Sequence, residues 1–280
     1  MIEYADLHCD TLTLEGEGGF LENPRAQVTL KRLKAGGCKL QCFAIFSRPD
    51  DGWEKTLCWI KRYQRERENL LTHGVTPVLT VEGGGGVGEE LSRLLFLKEV
   101  GVKAFSLTWN KENGFGYPCG SKKGLKPLGE KAVETLIDRG IYPDLSHLSD
   151  RGINAVIKIA EGRKFPVIAT HSLCRSVCFH PRNLTDFQIR KIADSGGVVG
   201  VNFVRSFIGR AGIFKHIERL LKVGGEEVLA IGTDFDGTEN PLYSSPEEMP
   251  KFFETLKKAG FSSYQIEKLA IGNAKRLFGL

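Results

Sequence analysis

The chain has 280 residues, of which 41% are hydrophobic and 26% charged, with a formal net charge of +5. That balance fits a soluble globular enzyme with a sizeable core, and the densest basic run, Lys61 to Arg67, has the spacing of a solvated helix face rather than of a nucleic-acid stripe. No apolar run approaches the roughly 18 residues of a membrane span, and a polar N-terminus entering a strand at once predicts neither a signal peptide nor a membrane location.

In chain order, Glu3 to Asp10 reads as a short strand ending in His-x-Asp, with His8 and Asp10 on one side and Cys9 on the other. Gly16 to Pro24 reads as a loop, Gln27 to Lys34 as a short helix ended by Gly36-Gly37, and Cys38 to Phe46 as a second strand. A long amphipathic helix, Trp53 to Thr72, leads to a third strand, Pro77 to Val81, which ends at Glu82. Glu89 to Val100 is a predicted helix, Val102 to Trp109 a fourth strand, and Asn110 to Lys126 a loop rich in Gly, Pro and Asn. The helix Gly129 to Arg139 precedes a fifth strand, Ile141 to Leu145, that runs into Ser146-His147. After a helix over Asp150 to Glu161, a sixth strand, Pro166 to Thr170, runs into His171 and a loop from Ser172 to Asn183. Thr185-Asp186 starts a helix to Asp194, Gly197 to Phe203 is a seventh strand, and Ile213 to Val223 a helix. Val228 to Thr233 is an eighth strand that ends in Asp234-Phe235-Asp236-Gly237, and two helices near Pro246–Ala259 and Ser262–Leu277 close the chain.

Short apolar strands alternating with helices predict a parallel α/β sheet. Eight such units predict one (β/α)₈ TIM barrel of the metal-dependent hydrolase type over residues 1–280, with extra C-terminal helices. An open doubly wound sheet fits the same alternation. The polar residues favour the barrel, because His8, Asp10, Glu82, His147, His171 and Asp234 all follow strand ends, where barrel enzymes place their chemistry.

Taken singly, each of these residues has an ordinary reading: a capping histidine, a loop acid, a satisfied core imidazole. Together, histidine and carboxylate ligands without thiolate predict a divalent-metal site for zinc, manganese, iron or cobalt. Two histidines on one side, a His-Asp pair on the other and Glu82 between them predict two metals with a bridging ligand, where a metal-bound hydroxide forms near neutral pH. Asp234 and Asp236 are both candidates for a proton carrier, and spacing does not choose between them. Arg182 in His180-Pro181-Arg182-Asn183 is either a clamp for a substrate carboxylate or a loop arginine paired internally. His73 and His216 fall on helices or helix ends and read as surface residues. Gly83 to Gly88 matches G-x-G-x-x-G, but no acidic residue ends the next strand, so a nucleotide site is not expected. Ser172 has no G-x-S-x-G elbow and is not read as a nucleophile. Seven cysteines, an odd number without zinc-ribbon pairing, point to reduced thiols in the cytoplasm, with Cys174 and Cys178 buried or semi-buried rather than ligands.

Asp6-Leu7-His8-Cys9-Asp10, Val81-Glu82-Gly83-Gly84, Ser106-Leu107-Thr108, Asp144-Leu145-Ser146-His147-Leu148-Ser149, His171-Ser172, Arg182-Asn183, Val201-Asn202-Phe203 and Gly232 to Gly237 occur in one order along the whole chain. In these stretches the chain resembles the membrane (renal) dipeptidase family of the amidohydrolase superfamily. The resemblance implies a barrel with two zinc ions, His8 and Asp10 binding one, His147 and His171 the other, and Glu82 bridging. It also implies Asp234 as the acid/base residue, Arg182 as the partner of the substrate's C-terminal carboxylate, and a dipeptide substrate whose second residue is often D. Two positions depart from the pattern: Trp109 stands where mammalian members have a histidine near the polarised carbonyl, and Phe207 where they have a carboxylate-binding tyrosine. The anchor tail of the animal members has no counterpart in the sequence. The resulting expectation is a zinc-dependent dipeptidase, with Trp109 beside the substrate and a homodimer left open. Its alternatives are another binuclear amidohydrolase acting on N-acyl-amino acids, lactams or lactones, and a barrel that binds metal without catalysis.

Overall fold

The computed structural model of the protein describes residues 1–15, 19–48 and 50–280. Seven parallel strands carry it: β1 (Tyr4–Asp6), β2 (Cys38–Phe46), β3 (Thr76–Glu82), β4 (Val102–Ser106), β5 (Tyr142–Asp144), β6 (Val199–Val201) and β7 (Leu229–Ile231). Among the described residues, eleven α-helical segments surround or follow them. These are α1 (Leu30–Gly36), α2 (Gly52–Thr72), α3 (Ser92–Glu99), α4 (Pro127–Asp138), α5 (Asp150–Arg163), α6 (Asp186–Asp194), α7 (Arg205–Ile208), α8 (Ile213–Gly224), α9 (Met249–Lys258), α10 (Ser263–Glu267) and α11 (Asn273–Phe278). Local sequence sets their ends. Ser149 accepts a hydrogen bond from Gly152 N at the start of α5, and Thr185 with Gln188 and Ser262 with Gln265 form capping boxes on α6 and α10. Gly37 ends α1 at φ +82°, a conformation only glycine takes without strain.

The strands run β1-β2-β3-β4-β5 in one sheet and β6-β7 in another. Two seams join them into a ring. Between β5 and β6, residues 166–170 pair with both sides: Leu145 N donates to Ile168 O at 2.8 Å and Gly200 N to Ala169 O at 2.8 Å. Between β7 and β1, Leu7 N donates to Ile231 O at 2.8 Å and Asp10 N to Phe235 O at 2.9 Å. The predicted sixth strand is thus present as single bridges rather than a ladder, and eight chain segments close a (β/α)₈ barrel.

Ala5, Leu7, Leu40, Cys42, Val78, Ala104, Ile168, Val198 and Ala230 form one buried cluster. A cluster fed by segments all round the ring fills its interior. Ile271, Ala274 and Leu277 join it from the C-terminal helices, and Tyr142 Oη donates to Leu277 O at 2.6 Å, so those helices stop one end of the barrel. The larger cluster lies between the ring and the outer helices.

Several expectations shift. Part of the predicted loop Gly16 to Pro24 lies outside the described residues, and Phe20–Glu22 is a 3₁₀ turn. The last predicted helix is interrupted by a π-turn at Lys268–Gly272. His216, read above as a surface residue, is fully buried: its Nδ1 accepts from Cys174 N at 3.0 Å and its Nε2 donates to Ile208 O at 2.9 Å. Its position on the inner face of α8 decides this, since α8 is amphipathic and His216 falls among Ile213, Ile217 and Leu220. Arg62, read as part of a solvated face, donates to Leu12 O and Leu14 O at 2.9 and 2.6 Å and so holds the loop after β1.

Candidate metal centre

His8 and Asp10 extend past β1, Glu82 ends β3, His147 follows β5, His171 follows residues 166–170, and Asp234 follows β7. The barrel brings all six together. His8 Nε2 lies 3.7 Å from Asp10 Oδ1, Glu82 Oε2 and Asp234 Oδ1 alike. On the other side, Glu82 Oε1 lies 2.8 Å from His147 Nε2 and 3.2 Å from His171 Nε2, which are 2.9 Å from each other. His8, Glu82 and His171 form one group able to hold a cation, and His8, Asp10 and Asp234 another, with ligand atoms in each within 4.8 Å. Asp234 as a member of that second group is a finding the sequence left out. Asp236 separates from it: its carboxylate accepts from Thr11 Oγ1, Gln27 N and Val28 N at 2.5, 2.6 and 3.2 Å and ties down the loop before α1.

Toward one another His147 Nε2, His171 Nε2 and Glu82 Oε1 carry no protons. Thr170 Oγ1 donates to Asp144 Oδ2 at 2.6 Å, so toward His171 Nδ1 at 2.9 Å it accepts, and the ring proton sits on Nδ1. His147 Nδ1 likewise faces the amide oxygen of Asn110 at 2.9 Å. Both Nε2 atoms therefore present lone pairs to each other and to a carboxylate oxygen, and burial holds both rings well below the usual imidazole pKa, with the charges of Arg182 and His8 adding to it. Three converging acceptors with no proton between them are an arrangement that a cation satisfies. Across the site, His8 Nε2 and Asp10 Oδ1 are buried without a hydrogen-bond partner among the described residues.

The acid-rich side behaves differently. Burial opposes charge on His8, but Glu82, Asp10 and Asp234 outweigh it and raise the ring to about 10. Burial, then the neighbouring Asp10 and Glu82, push Asp234 up to about 8, and burial with Glu82 pushes Asp10 up to about 6. Carboxylates crowded in a dry site hold protons that a dication would displace. His147 at φ +67° and Asp234 at φ +65° sit in the left-handed region that non-glycine residues seldom adopt. Gly237 is close behind: a Cβ there would lie 2.2 Å from Asp10 Oδ2, a constraint no sequence pattern exposes.

Arg182 is 6% exposed, its Nη2 donates to His171 O at 3.1 Å, and its Nε is left unpartnered among the described residues. A buried guanidinium beside the cluster suits an incoming carboxylate. The glycine run after Glu82 serves packing. Gly83 N donates to Ser106 Oγ, Gly84 N to Leu107 O and Gly86 N to Ser47 Oγ, which leaves those amides engaged. A Cβ on Gly84 would lie 2.5 Å from the Phe115 ring.

Residues 2–279 match the model of the membrane dipeptidase family, peptidase family M19. The chain belongs to that family. It is a metallodipeptidase of the M19 type. The Klebsiella pneumoniae "Uncharacterized protein in pqqA 5'region" is 33% identical over 219 residues, 71% of this chain and 80% of that protein. Two solved structures superpose closely. One is a dipeptidase of family M19, with TM-score 0.85 and 23% identity over 99% of this chain and 97% of that one. The other is a Rhodobacter sphaeroides metallo peptidase liganded with a phosphinate mimic of L-Ala-D-Ala, with TM-score 0.85 and 24% identity over 99% of each chain. At that identity the likeness concerns the fold, and it is a TIM-barrel-like hydrolase fold, as expected from the polar residues that follow the strand ends.

Within this M19 chain the two departures from the family pattern are placed clearly. Trp109 is half-buried, 4.7 Å from the Phe46 ring and 6.4 Å from the His147 ring, on the wall of a cavity of about 710 Å³ that reaches Asp10. Phe207 lies 5.4 Å under the Arg182 guanidinium and 4.5 Å from His180, an aromatic bed without a hydroxyl.

Proposed function

We propose that the protein is a zinc-dependent dipeptidase with a two-cation site in one domain spanning residues 1–280. His8 and Asp10 would hold one zinc with Asp234 facing it, His147 and His171 the other, and Glu82 would bridge. The observation that carries this reading is the meeting of Glu82 Oε1 with two unprotonated Nε2 atoms at 2.8 and 3.2 Å. Zinc, when bound, supplies Lewis acidity and acidifies a water toward neutrality.

The chain's own residues supply the rest. Arg182 fixes the free carboxylate one residue beyond the scissile bond, which restricts cleavage to the bond before a C-terminal residue. Asp234 takes the proton of the attacking water and returns it to the departing amine, so no net proton is left on the protein. Trp109 and Phe46 pack against each other on the wall of the cavity that reaches Asp10 and exclude water there. With Trp109 in place of a histidine, this chain offers no imidazole donor at that position to a developing oxyanion. The Rhodobacter sphaeroides complex supports tolerance of a D-residue in the second position, that is, L-Xaa-D-Xaa. The free cysteines support a reducing, cytoplasmic setting, and no helix among the described residues is long and apolar enough to cross a membrane.

Metal analysis with a dipeptide panel, run before and after chelation, tests the reading. We expect about two zinc per chain, turnover lost on chelation, and turnover restored by zinc. Arg182 would serve an N-acyl-amino acid equally well, so turnover of N-blocked amino acids without dipeptide cleavage would move the protein to that substrate class. Bound zinc with no hydrolysis of either class would leave a metal-binding barrel.

A further inference from the structure

The two seams that close the barrel carry only isolated bridges, yet the candidate ligands other than Glu82 sit on opposite banks of them. Asp234 faces His8 and Asp10 across the β7/β1 seam, and His147 faces His171 across the seam between β5 and residues 166–170. β2 and β3, by contrast, share an unbroken seven-pair register from Leu40↔Thr76 to Phe46↔Glu82.

Each seam carries the same side-chain device. At the first, Asp6 Oδ2 accepts from Thr233 Oγ1 at 2.6 Å, while Asp6 Oδ1 accepts from Thr233 N at 2.9 Å and from His8 N at 3.2 Å. At the second, Asp144 Oδ2 accepts from Thr170 Oγ1 at 2.6 Å, while Asp144 Oδ1 accepts from Thr170 N and Ser146 N, both at 3.0 Å. All four residues are buried. In each case the threonine directly precedes a candidate ligand, Asp234 or His171, and the aspartate lies just before the ligand on the other bank. Each clamp also sits beside a strained ligand backbone, Asp234 at φ +65° and His147 at φ +67°. An ion-to-neutral hydrogen bond reinforced by two amides is strong enough to hold such a geometry.

We propose that Asp6–Thr233 and Asp144–Thr170 are a matched pair of positioning clamps, each setting the ligand spacing of one of two cation sites independently of the other. The proposal rests on the two-cation reading above. The second clamp has an added part, because Thr170 Oγ1 also accepts the Nδ1 proton of His171 and so fixes the tautomer that offers Nε2 to a cation. None of the four residues has an atom among the groups able to hold a cation, so their influence runs through the ligands they position.

The test is a zinc titration of the metal-free protein against a chromogenic chelator, resolving the affinities of two sites in the wild type and in Thr170→Val, Thr170→Ser, Thr233→Val and Thr233→Ser. Thr170→Val should weaken one site by roughly 10–100-fold and leave the other nearly unchanged; Thr233→Val should weaken the opposite site; both serines should retain wild-type binding. In a His171→Ala background, Thr170→Val should add nothing further, since it acts through that ligand. Equal loss at both sites, loss at the same site from both valines, or no loss from either would overturn the proposal. A wild type that binds fewer than two zinc would instead sink the two-cation reading. Should Thr170→Val fail to fold, Asp144→Asn carries the same test, with single-site weakening expected and unchanged binding overturning it.

Discussion

On the β7/β1 side of the rim, His8 meets three carboxylates at 3.7 Å each, whereas on the β5 side His147 and His171 meet each other at 2.9 Å with only Glu82 between them. One half-site is rich in charge and retains protons; the other is neutral, with its protons turned outward to Thr170 and Asn110. Both are equally buried, so burial alone does not explain the contrast. It comes from donor type, and it implies that two identical cations would be held with different dependence on pH. Glu82 is the group common to both halves, one oxygen facing each.

Removing that shared group should produce the largest effect. Glu82→Gln replaces an anion that faces both half-sites with a neutral amide, and activity on dipeptides should fall roughly 10³-fold or more. Elemental analysis should show zinc lost from both halves. Full activity with intact zinc content would show that the halves do not share Glu82.

Arg182 is not a member of either group able to hold a cation and should affect substrate binding rather than metal. Arg182→Met should lower kcat/KM for dipeptides by roughly 10²–10³-fold, the range for removing one partner of a desolvated charge pair, chiefly through KM. A dipeptide amide, lacking the carboxylate, should lose little. Equal losses on both substrates would assign Arg182 to holding His171 through its bond to the His171 carbonyl instead.

The contrast between the halves is sharpest against pH. Zinc binding on the acid-rich side requires His8 neutral and Asp10 and Asp234 ionised, from groups raised to about 10, 6 and 8 without metal. Each bound cation releases protons there, so affinity rises with pH and is lost as pH falls. His147 and His171 lie below the usual imidazole range and release none over the same window. Between pH 8 and pH 6 one zinc should therefore weaken by about tenfold per pH unit for each proton displaced, while the other changes little. Parallel loss of both, followed by competition titration at several pH values, would remove the distinction drawn between the two sides.

How much of this could be read from the sequence depends on the range over which each residue acts. His8, Glu82, His147 and His171 terminate apolar strands, so strand periodicity and barrel topology were enough to bring them to one rim. Spacing does not choose between Asp234 and Asp236, which follow the same strand; the family resemblance points to Asp234, and packing sends Asp236 away to Thr11 and Gln27. Gly237 was hidden for the same reason: its demand arises from Asp10, far away in the chain. The clamps join Asp6 to Thr233 and Asp144 to Thr170, and no local pattern signals a partner across a seam. His216 lies on the apolar face of α8, so its burial follows from the phase of that face rather than from its being on a helix.

The smallest expected effect concerns the aromatic bed under Arg182. Phe207 contributes a ring face 5.4 Å from the guanidinium carbon and nothing that can donate to a carboxylate. Phe207→Tyr adds one hydroxyl next to the group proposed to receive the substrate's carboxylate, at a half-buried position packed against His180. A new hydrogen bond to a charged acceptor is worth about 1.5 kcal/mol at most after the ordering cost is met, so KM for dipeptides should fall roughly threefold to tenfold. The value for a dipeptide amide should stay the same, and zinc content should not change, because neither half of the metal site touches Phe207. If KM falls equally for the acid and the amide, the hydroxyl acts on the shape of the loop rather than on the carboxylate. Arg182 would then be selecting substrates by a route other than the free terminus.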